Sequence, residues 1–440
     1  MKYRIFVYLC TVALISSASC SDGRQPYSQR MVESLPMRIS LSNTREEKLA
    51  TAYWGYVPGL VANSVLKAWK QYPEKTEYYQ IVKQYADFNL LEGDSVKVGF
   101  SNIDDLAAGK IFFTLYQAEM EMGNEADAMR YKRCATFLRN KLKYNHRRVE
   151  DSLPGAGRFI HKAIYPAQLW LDGLYMGPAL YAEWQHYFGA EESAEANIDS
   201  WTDIALQFET VHKYTWDSAK RLNYHAWAAN PDDPNAFWAR KEEPYRGCSS
   251  EFWGRGVGWY FAAIIDVLEW MPEQHPKRQS LVEIARQIAD GLVARQDPAS
   301  GCWYQLLQYD AGKCADGTGD GENGYNNCDR CNYLESSASG MFTYSYLKGI
   351  RLKILDKNTY LPVAKKAYQG LIDTFIREGE DGYLEIIQSC ASAGLGPANN
   401  LSRTGTVNYY LCGRDTGITK NEGKAIGPFI MASLEMEMTK

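Results

Sequence analysis

The sequence predicts an all-α fold, six helical hairpins closed into an (α/α)6 barrel, on three observations. Apolar residues recur at helical spacing along most of the chain, and an alternating strand pattern is almost absent. Short turns such as MPEQHP at 271–276 alternate with longer glycine-rich connections, which pairs neighbouring helices into antiparallel hairpins. No compositional break marks a linker between two domains in the 440 residues. An open solenoid would need a fixed repeat, and no self-similarity of constant period is present.

In chain order, helices are predicted over 50–71, 77–91, 104–122, 125–142, 170–188, 196–213, 257–271, 276–295, 334–355, 359–378 and 424–438. A twelfth, which periodicity does not locate, would complete six pairs. The stops carry their expected punctuation: Gly123 ends the third helix with Asn124 as the next N-cap, Gly189 ends the fifth, and Pro272 ends the seventh. Longer connections at 92–103, 143–166, 214–256, 296–333 and 379–423 separate the pairs.

The first twenty residues read as an export leader rather than part of the fold. Lys2 and Arg4 form a positive region, Ile5 to Ile15 an apolar stretch, and SSASC at 16–20 a small-residue cleavage zone. Cys20 followed by Ser21 and Asp22 resembles a lipobox, with Ser17 where Leu or Val is usual, so the expected product is a bacterial lipoprotein anchored through Cys20. Simple secretion is the alternative. The anchor is the only membrane contact expected, since no later segment reaches the ~18 apolar residues of a span. Residues 21–44 read as a spacer and 45–440 as one catalytic barrel.

Composition excludes some functions. A net charge of −5 with no long basic run sets nucleic-acid binding aside. The 31 Tyr and 12 Trp suit a core, and they equally suit sugar binding, where flat rings cover pyranose faces. Beyond the leader lie Cys134, Cys248, Cys302, Cys314, Cys328, Cys331, Cys390 and Cys412. No histidine sits near the CxxC at 328–331, so loop disulfides in an oxidising compartment are expected ahead of buried thiols, and no metal site is assigned. The acid-rich stretch at 310–330 lacks EF-hand spacing and reads as a solvated, cysteine-stapled insertion over about 310–332. GRGVG at 254–258 lacks the Lys-Ser/Thr ending of a phosphate loop.

Unusual residues gather ahead of the first helix of each pair: Trp54 and Tyr56; Asp104 and Asp105; His161, Lys162 and Asp172; His225, Trp253, Arg255 and Trp259; Glu335; Lys424. In a ring of hairpins those helix starts share one rim, so the five segments would make one cleft. Plainer readings exist for several. Asp104, Asp105, Asp172 and Glu335 suit helix caps or first turns, and either histidine suits a satisfied structural position. Asp172 is set apart by its neighbours Tyr165, Trp170, Leu174, Tyr175 and Met176, because a carboxyl group in apolar surroundings is expected to hold its proton. Asp104 and Asp172 could share acid and base work on a sugar. Arg255 and Lys162 offer cations for an acidic sugar's carboxylate, and Trp253 and Trp259 offer stacking faces.

HKAIYPAQLWLDGLYMGPAL, LNYHAW, FWGRGVGWYFAAIIDVLEWMP, YLESSASGMFTYSYLKGIRL and EGKAIGPFIMASLE follow one another in an order that resembles glycoside hydrolase family 105. These are the unsaturated rhamnogalacturonyl hydrolases, related to the unsaturated glucuronyl hydrolases of family 88. The resemblance spans 45–440 and implies an (α/α)6 barrel that works without metal or organic cofactor on a small anionic unsaturated oligosaccharide. It implies hydration of the C4=C5 vinyl ether of a terminal uronic acid, with Asp172 as the acid that protonates C4 and Asp104, or the adjacent Asp105, as the second aspartate. His161, Lys162, His225, Trp253, Arg255, Trp259 and Tyr56 correspond to substrate-binding positions. Unsaturated glucuronyl groups are the rival substrate, and a non-catalytic glycan-binding lipoprotein is the rival of another class.

Overall fold

The computed structural model describes residues 25–38, 40–42, 45–46, 48–317 and 328–439. The export leader with Cys20, and 318–327 of the insertion, lie outside the described residues. Fourteen α-helices are found among the described residues: α1 (Tyr27–Arg38), α2 (Tyr56–Gln71), α3 (Thr76–Asn89), α4 (Ile111–Glu121), α5 (Glu125–Asn140), α6 (Leu171–Met176), α7 (Pro178–Phe188), α8 (Ala194–Thr215), α9 (Gly254–Trp270), α10 (Arg278–Val293), α11 (Ser336–Arg351), α12 (Lys357–Phe375), α13 (Val407–Cys412) and α14 (Gly423–Met438).

Contacts between helices close a ring. An inner circle runs α2, the 3₁₀ helix Ile103–Lys110 continued by α4, α6 continued by α7, α9, α11 and α14, and α14 returns to α2. Outside it, α3, α5, α8, α10 and α12 each pack on the inner helix just before them in sequence. The sixth outer helix is α1, which packs on α14. The architecture is an (α/α)6 barrel whose last hairpin joins the two ends of the described chain.

That helix α1 corrects the expected spacer at 21–44. Met31, Val32 and Leu35 are buried, and the Tyr27 ring meets Phe429 edge-on at 6.2 Å. Ser28 donates to Glu437 at 2.8 Å, and the Ser34 hydroxyl accepts from the Leu384 amide at 2.8 Å. The barrel therefore extends back to Tyr27. Among the described residues no helix is long and apolar enough to cross a membrane.

Two predicted helices are broken. The stretch read as 104–122 starts as the 3₁₀ helix, and the one read as 170–188 divides at Gly177. A Cβ on Gly177 would lie 2.7 Å from Ile103 Cδ1, so the Ile103 side chain fills the space a side chain would need there, and Pro178 restarts the helix at its first turn. On the same rim Glu335 caps α11, accepting from the Ala338 amide at 2.7 Å, and Glu422 caps α14.

Towards the other end of the inner circle every inner segment carries ionisable groups, among them Lys67, Lys110, Glu183, Asp266, Lys348 and Glu435. Lys348 Nζ lies 2.6 Å from Asp266 and 2.7 Å from Glu269, and Arg351 lies 2.7 Å from Glu435. Burial opposes ionisation of Asp266, but Lys348, Lys110 and Lys67 outweigh it and hold the carboxyl at about 2.

Candidate active site

Backbone pairings in the rim loops bring distant residues together. Strand Gln168–Trp170 runs antiparallel to Ala226–Ala228 with Trp170 opposite Ala226, and the Leu171 amide donates to the His225 carbonyl at 3.0 Å. This register sets Asp172, in the first turn of α6, beside His225, with Nε2 2.9 Å from Oδ2. A second pairing joins Asn102 to Lys162, and the Ile103 amide donates to the His161 carbonyl at 3.3 Å. It sets Asp104 beside Lys162, Nζ 2.6 Å from Oδ2, and 3.6 Å from His161 Nε2.

Asp104 rather than Asp105 faces this cluster. Asp105 Oδ2 accepts from the Gly99 amide at 2.8 Å, and its backbone carbonyl accepts from the Trp54 indole at 2.8 Å. Asp105 therefore holds the 92–103 connection to the barrel. Trp54 stacks on Phe112 and Tyr85 in the core.

The nine predicted residues converge, in two layers. Asp172 (13% exposed), Asp104 (14%) and Lys162 (27%) reach the surface, with Tyr56 partly buried beside them. Behind them His161, His225, Trp253, Arg255 and Trp259 are buried. These five form the layer behind the more exposed side chains of Asp172, Asp104 and Lys162. Trp253 and Trp259 are packing surfaces: Trp253 lies against His225 with ring centres 4.7 Å apart, and Trp259 against Tyr175 at 4.6 Å and Tyr56 at 6.3 Å. Arg255 is not a free cation. Its Nη1 donates to the Cys390 carbonyl at 2.5 Å and to Ser337 at 3.3 Å, Glu335 lies 4.0 Å away, and its guanidinium sits 4.9 Å from the Trp253 ring centre. Lys162 is likewise already neutralised by Asp104.

WGRGVGW also acquires a physical reason. A Cβ at Gly256 would stand 3.1 Å from His225 Cδ2, 3.2 Å from Trp253 Cε3 and 3.6 Å from Asp172 Oδ2. Only a residue without a side chain lets the first turn of α9 close against the Asp172–His225 pair.

Electrostatics revise the expectation for Asp172. Burial pushes its carboxyl up, as the apolar neighbours suggested, but the charge and hydrogen bond of His225, with His161 beyond, outweigh burial and leave it below the usual range. His161 goes the other way: burial pushes its imidazole down to about 4 against the pull of Asp104, so it is neutral at neutral pH. Its ring stacks on Trp170, centres 4.4 Å apart and nearly parallel, and Tyr165 continues the stack. Burial disfavours the Lys162 cation, but Asp104 more than restores it.

Sequence reasoning missed Tyr410. Its hydroxyl lies 2.8 Å from His225 Nδ1, completing a line Tyr410–His225–Asp172. It stands on the six-residue α13, inside a connection read as loop, and six residues are too few for periodicity to show. The cysteines pair as Cys314–Cys331 and Cys328–Cys412, while Cys134, Cys248, Cys302 and Cys390 are buried thiols.

Comparison with known proteins identifies the family. The Glycosyl Hydrolase Family 88 model matches residues 27–321 and 322–440. A glycoside hydrolase from family 105 of C. acetobutylicum ATCC 824 is 34% identical, covering 94% of this chain and 100% of its own, with a TM-score of 0.76. Protein Atu3128 of Agrobacterium fabrum is 31% identical over 236 residues, 53% of this chain and 89% of that one. An unsaturated 3S-rhamnoglycuronyl hydrolase of Formosa agariphila is 24% identical over 255 residues, 56% of either chain. With a family model matched along nearly all the described barrel and a family 105 relative aligned from end to end, the chain belongs to the glycoside hydrolases of the family 88 and family 105 group, enzymes of unsaturated glycosides.

Proposed function

We propose that the enzyme removes a terminal 4,5-unsaturated galacturonyl residue from rhamnogalacturonan oligosaccharides left by a lyase. The observation that carries this reading is the Asp172–His225 pair, an accessible carboxylate 2.9 Å from a buried imidazole. Such a pair takes up one proton and holds it between two groups of exchangeable charge, which suits acid catalysis followed by base catalysis. Beside His225 the carboxyl is held ionised. A substrate carboxylate entering beside it, with water excluded, adds negative charge and raises the proton affinity of the pair.

Asp172 then gives its proton to C4 of the vinyl ether while the C4=C5 π electrons form the new C–H bond. The cation at C5, stabilised by the ring oxygen, takes a water molecule whose proton returns to Asp172. Collapse of the C5 hemiketal opens the ring, and the C1 hemiacetal that results releases the leaving sugar. Net consumption is one water, and Asp172 ends as it began. Asp104 and Lys162 lie at the same surface, where they would orient hydroxyls of the reacting ring.

The named activity of the Formosa agariphila relative supports a second reading, in which the terminal residue is an unsaturated glucuronyl group next to a rhamnose. Elimination erases the C4 stereocentre that separates the parent uronic acids, so the two substrates differ in anomeric configuration and in the linkage to the leaving sugar, and comparing the two disaccharides is a direct test. Incubation with each unsaturated disaccharide should bleach the ultraviolet absorbance of the conjugated acid, faster for the galacturonyl compound. Faster loss of the glucuronyl compound reverses the assignment, and no loss of either removes the hydration mechanism. The two disulfides also support export to an oxidising compartment, consistent with a lipoprotein anchored at Cys20. Globomycin-sensitive processing of the full chain would test that anchor.

A further inference from the structure

We propose that Tyr410 is a positioning residue for the acid–base pair, and that the cysteine-rich insertion exists to strap it in place. The inference rests on the hydration reading and deepens it. Nδ1 of His225 is buried and has one partner, the Tyr410 hydroxyl at 2.8 Å, while Nε2 faces Asp172. A hydroxyl is both donor and acceptor. When the pair carries no extra proton, Nε2–H donates to the Asp172 carboxylate and Tyr410 donates to Nδ1. Once the pair has taken up a proton, Nδ1–H donates to the Tyr410 oxygen, whether that proton rests on the imidazole or on the carboxyl group. Tyr410 therefore satisfies both states by rotating one O–H bond, as a group that passes through both in each turnover requires.

The helix carrying Tyr410 has little to hold it by itself. α13 is six residues long, below the length at which a helix sustains itself. Neighbouring segments tie it down. From the insertion, Cys328 is disulfide-bonded to Cys412, Arg330 Nη1 donates to the Leu411 carbonyl at 2.7 Å, and Asp316 exchanges hydrogen bonds with Asn408 at 2.8 and 3.1 Å. From elsewhere, Thr416 Oγ1 donates to the Tyr409 carbonyl and the Gly394 amide to the Tyr409 hydroxyl, both at 2.9 Å. The insertion's own base is closed by Cys314–Cys331. The insertion thus acts on the reacting pair through α13, by way of its described residues Asp316, Cys328 and Arg330.

The groups facing His225 are Asp172 from α6, His161 from the rim turn and Tyr410 from α13, with the Trp170 and Trp253 rings closing the sides. Tyr410 in turn faces Tyr409, Glu251 and Cys390. Losing the hydroxyl strands a buried N–H of the proton-bearing pair or a lone pair of the neutral ring, and the former is the more costly. Tyr410→Phe should therefore lower kcat/KM roughly 10- to 100-fold at neutral pH, with most of the loss in kcat, and move the alkaline limb of the pH profile to lower pH. Cys412→Ser, and independently Cys328→Ser, should move the limb in the same direction by less, while Cys331→Ser leaves it in place.

Full pH profiles of these variants on the unsaturated disaccharide, each checked for the wild-type circular dichroism spectrum, decide the matter. A uniform loss at every pH with an unmoved limb, or a wild-type profile in Tyr410→Phe, overturns the positioning role. A wild-type profile in both Cys412→Ser and Cys328→Ser overturns the strap. Asp172→Asn runs alongside: if that variant remains active, the hydration reading itself has failed, whereas an inactive Asp172→Asn beside an unaffected Tyr410→Phe condemns this inference alone.

Discussion

Each end of this barrel holds buried charge, and the two ends differ in what faces each carboxylate. Asp266, at one end, lies 2.6 Å from the Lys348 ammonium, which burial opposes but Asp266 and Glu269 hold well above its ordinary range, with Lys110 and Lys67 beyond. Asp172, at the catalytic rim, faces the imidazole Nε2 of His225 at 2.9 Å, and the other ring nitrogen is hydrogen-bonded to Tyr410 at 2.8 Å. Both carboxylates are pulled below their usual range against the effect of burial. The first is thereby locked ionised, while the second belongs to a pair that can take up a proton and return it. One barrel uses the same pairing of opposite charges for rigidity at one end and for reactivity at the other.

The sharpest way to break the comparison is to neutralise each carboxylate's role in turn. Under the proposed mechanism Asp172→Asn removes the only group that delivers a proton to carbon. Turnover should fall by about 10³-fold or more, near the upper range for loss of a general acid. Binding of the unsaturated disaccharide, followed by calorimetry, should stay measurable, because Asn keeps the shape. Turnover within tenfold of wild type would take Asp172 out of the chemistry.

Lys348→Met probes the other end. It leaves Asp266 and Glu269 buried without their shared cation, and breaking such a pair costs about 3–5 kcal/mol. Urea unfolding should show that loss, while kcat at a temperature where the variant is folded stays near wild type. A stable variant with lost activity would mean that the two ends are coupled rather than separate devices.

How much of this was legible in the sequence divides along the same line. Helical periodicity marked eleven of the barrel's helices, and the gathering of odd residues at helix starts pointed to one rim. It passed over α1 because its packing partners, Phe429 and Glu437, stand at the other end of the chain. It left Asp104 and Asp105 tied, since adjacent residues share every sequence signal, and only the Gly99 amide and Lys162 separate them. The charge state of Asp172 was misjudged for a related reason: its apolar neighbours are local, but the histidine that reverses their effect is 53 residues away. Layering was invisible as well, because Arg255 and Trp253 look alike as cleft wall or as packing behind it. The charged circle at the far end went unmarked, each member reading as an ordinary polar position on its own helix.

The smallest expected effect concerns that circle and is a matter of pH. Glu183 is pushed up to about 7 from an ordinary 4.5, by burial first, against the pull of Lys67 and Lys110. The folded state thus binds a proton that the unfolded chain releases at lower pH. Stability from this group is fully present below about 4.5 and is lost as pH rises through about 7. Lys110 works with the opposite sign, because burial lowers its ammonium to about 8 from 10.5, and its effect lies above that lower value. Between pH 5 and 7.5 Glu251, His161 and His212 contribute as well, and the comparison with a variant at Glu183 alone cancels them. Across that range, the melting temperature of wild type should decline relative to that of Glu183→Gln, whose amide cannot ionise. Parallel curves would show that Glu183 is already ionised at pH 5, paired as firmly as Asp266. The far end would then contain no titrating carboxylate, and the contrast with the catalytic rim would be complete rather than one of degree.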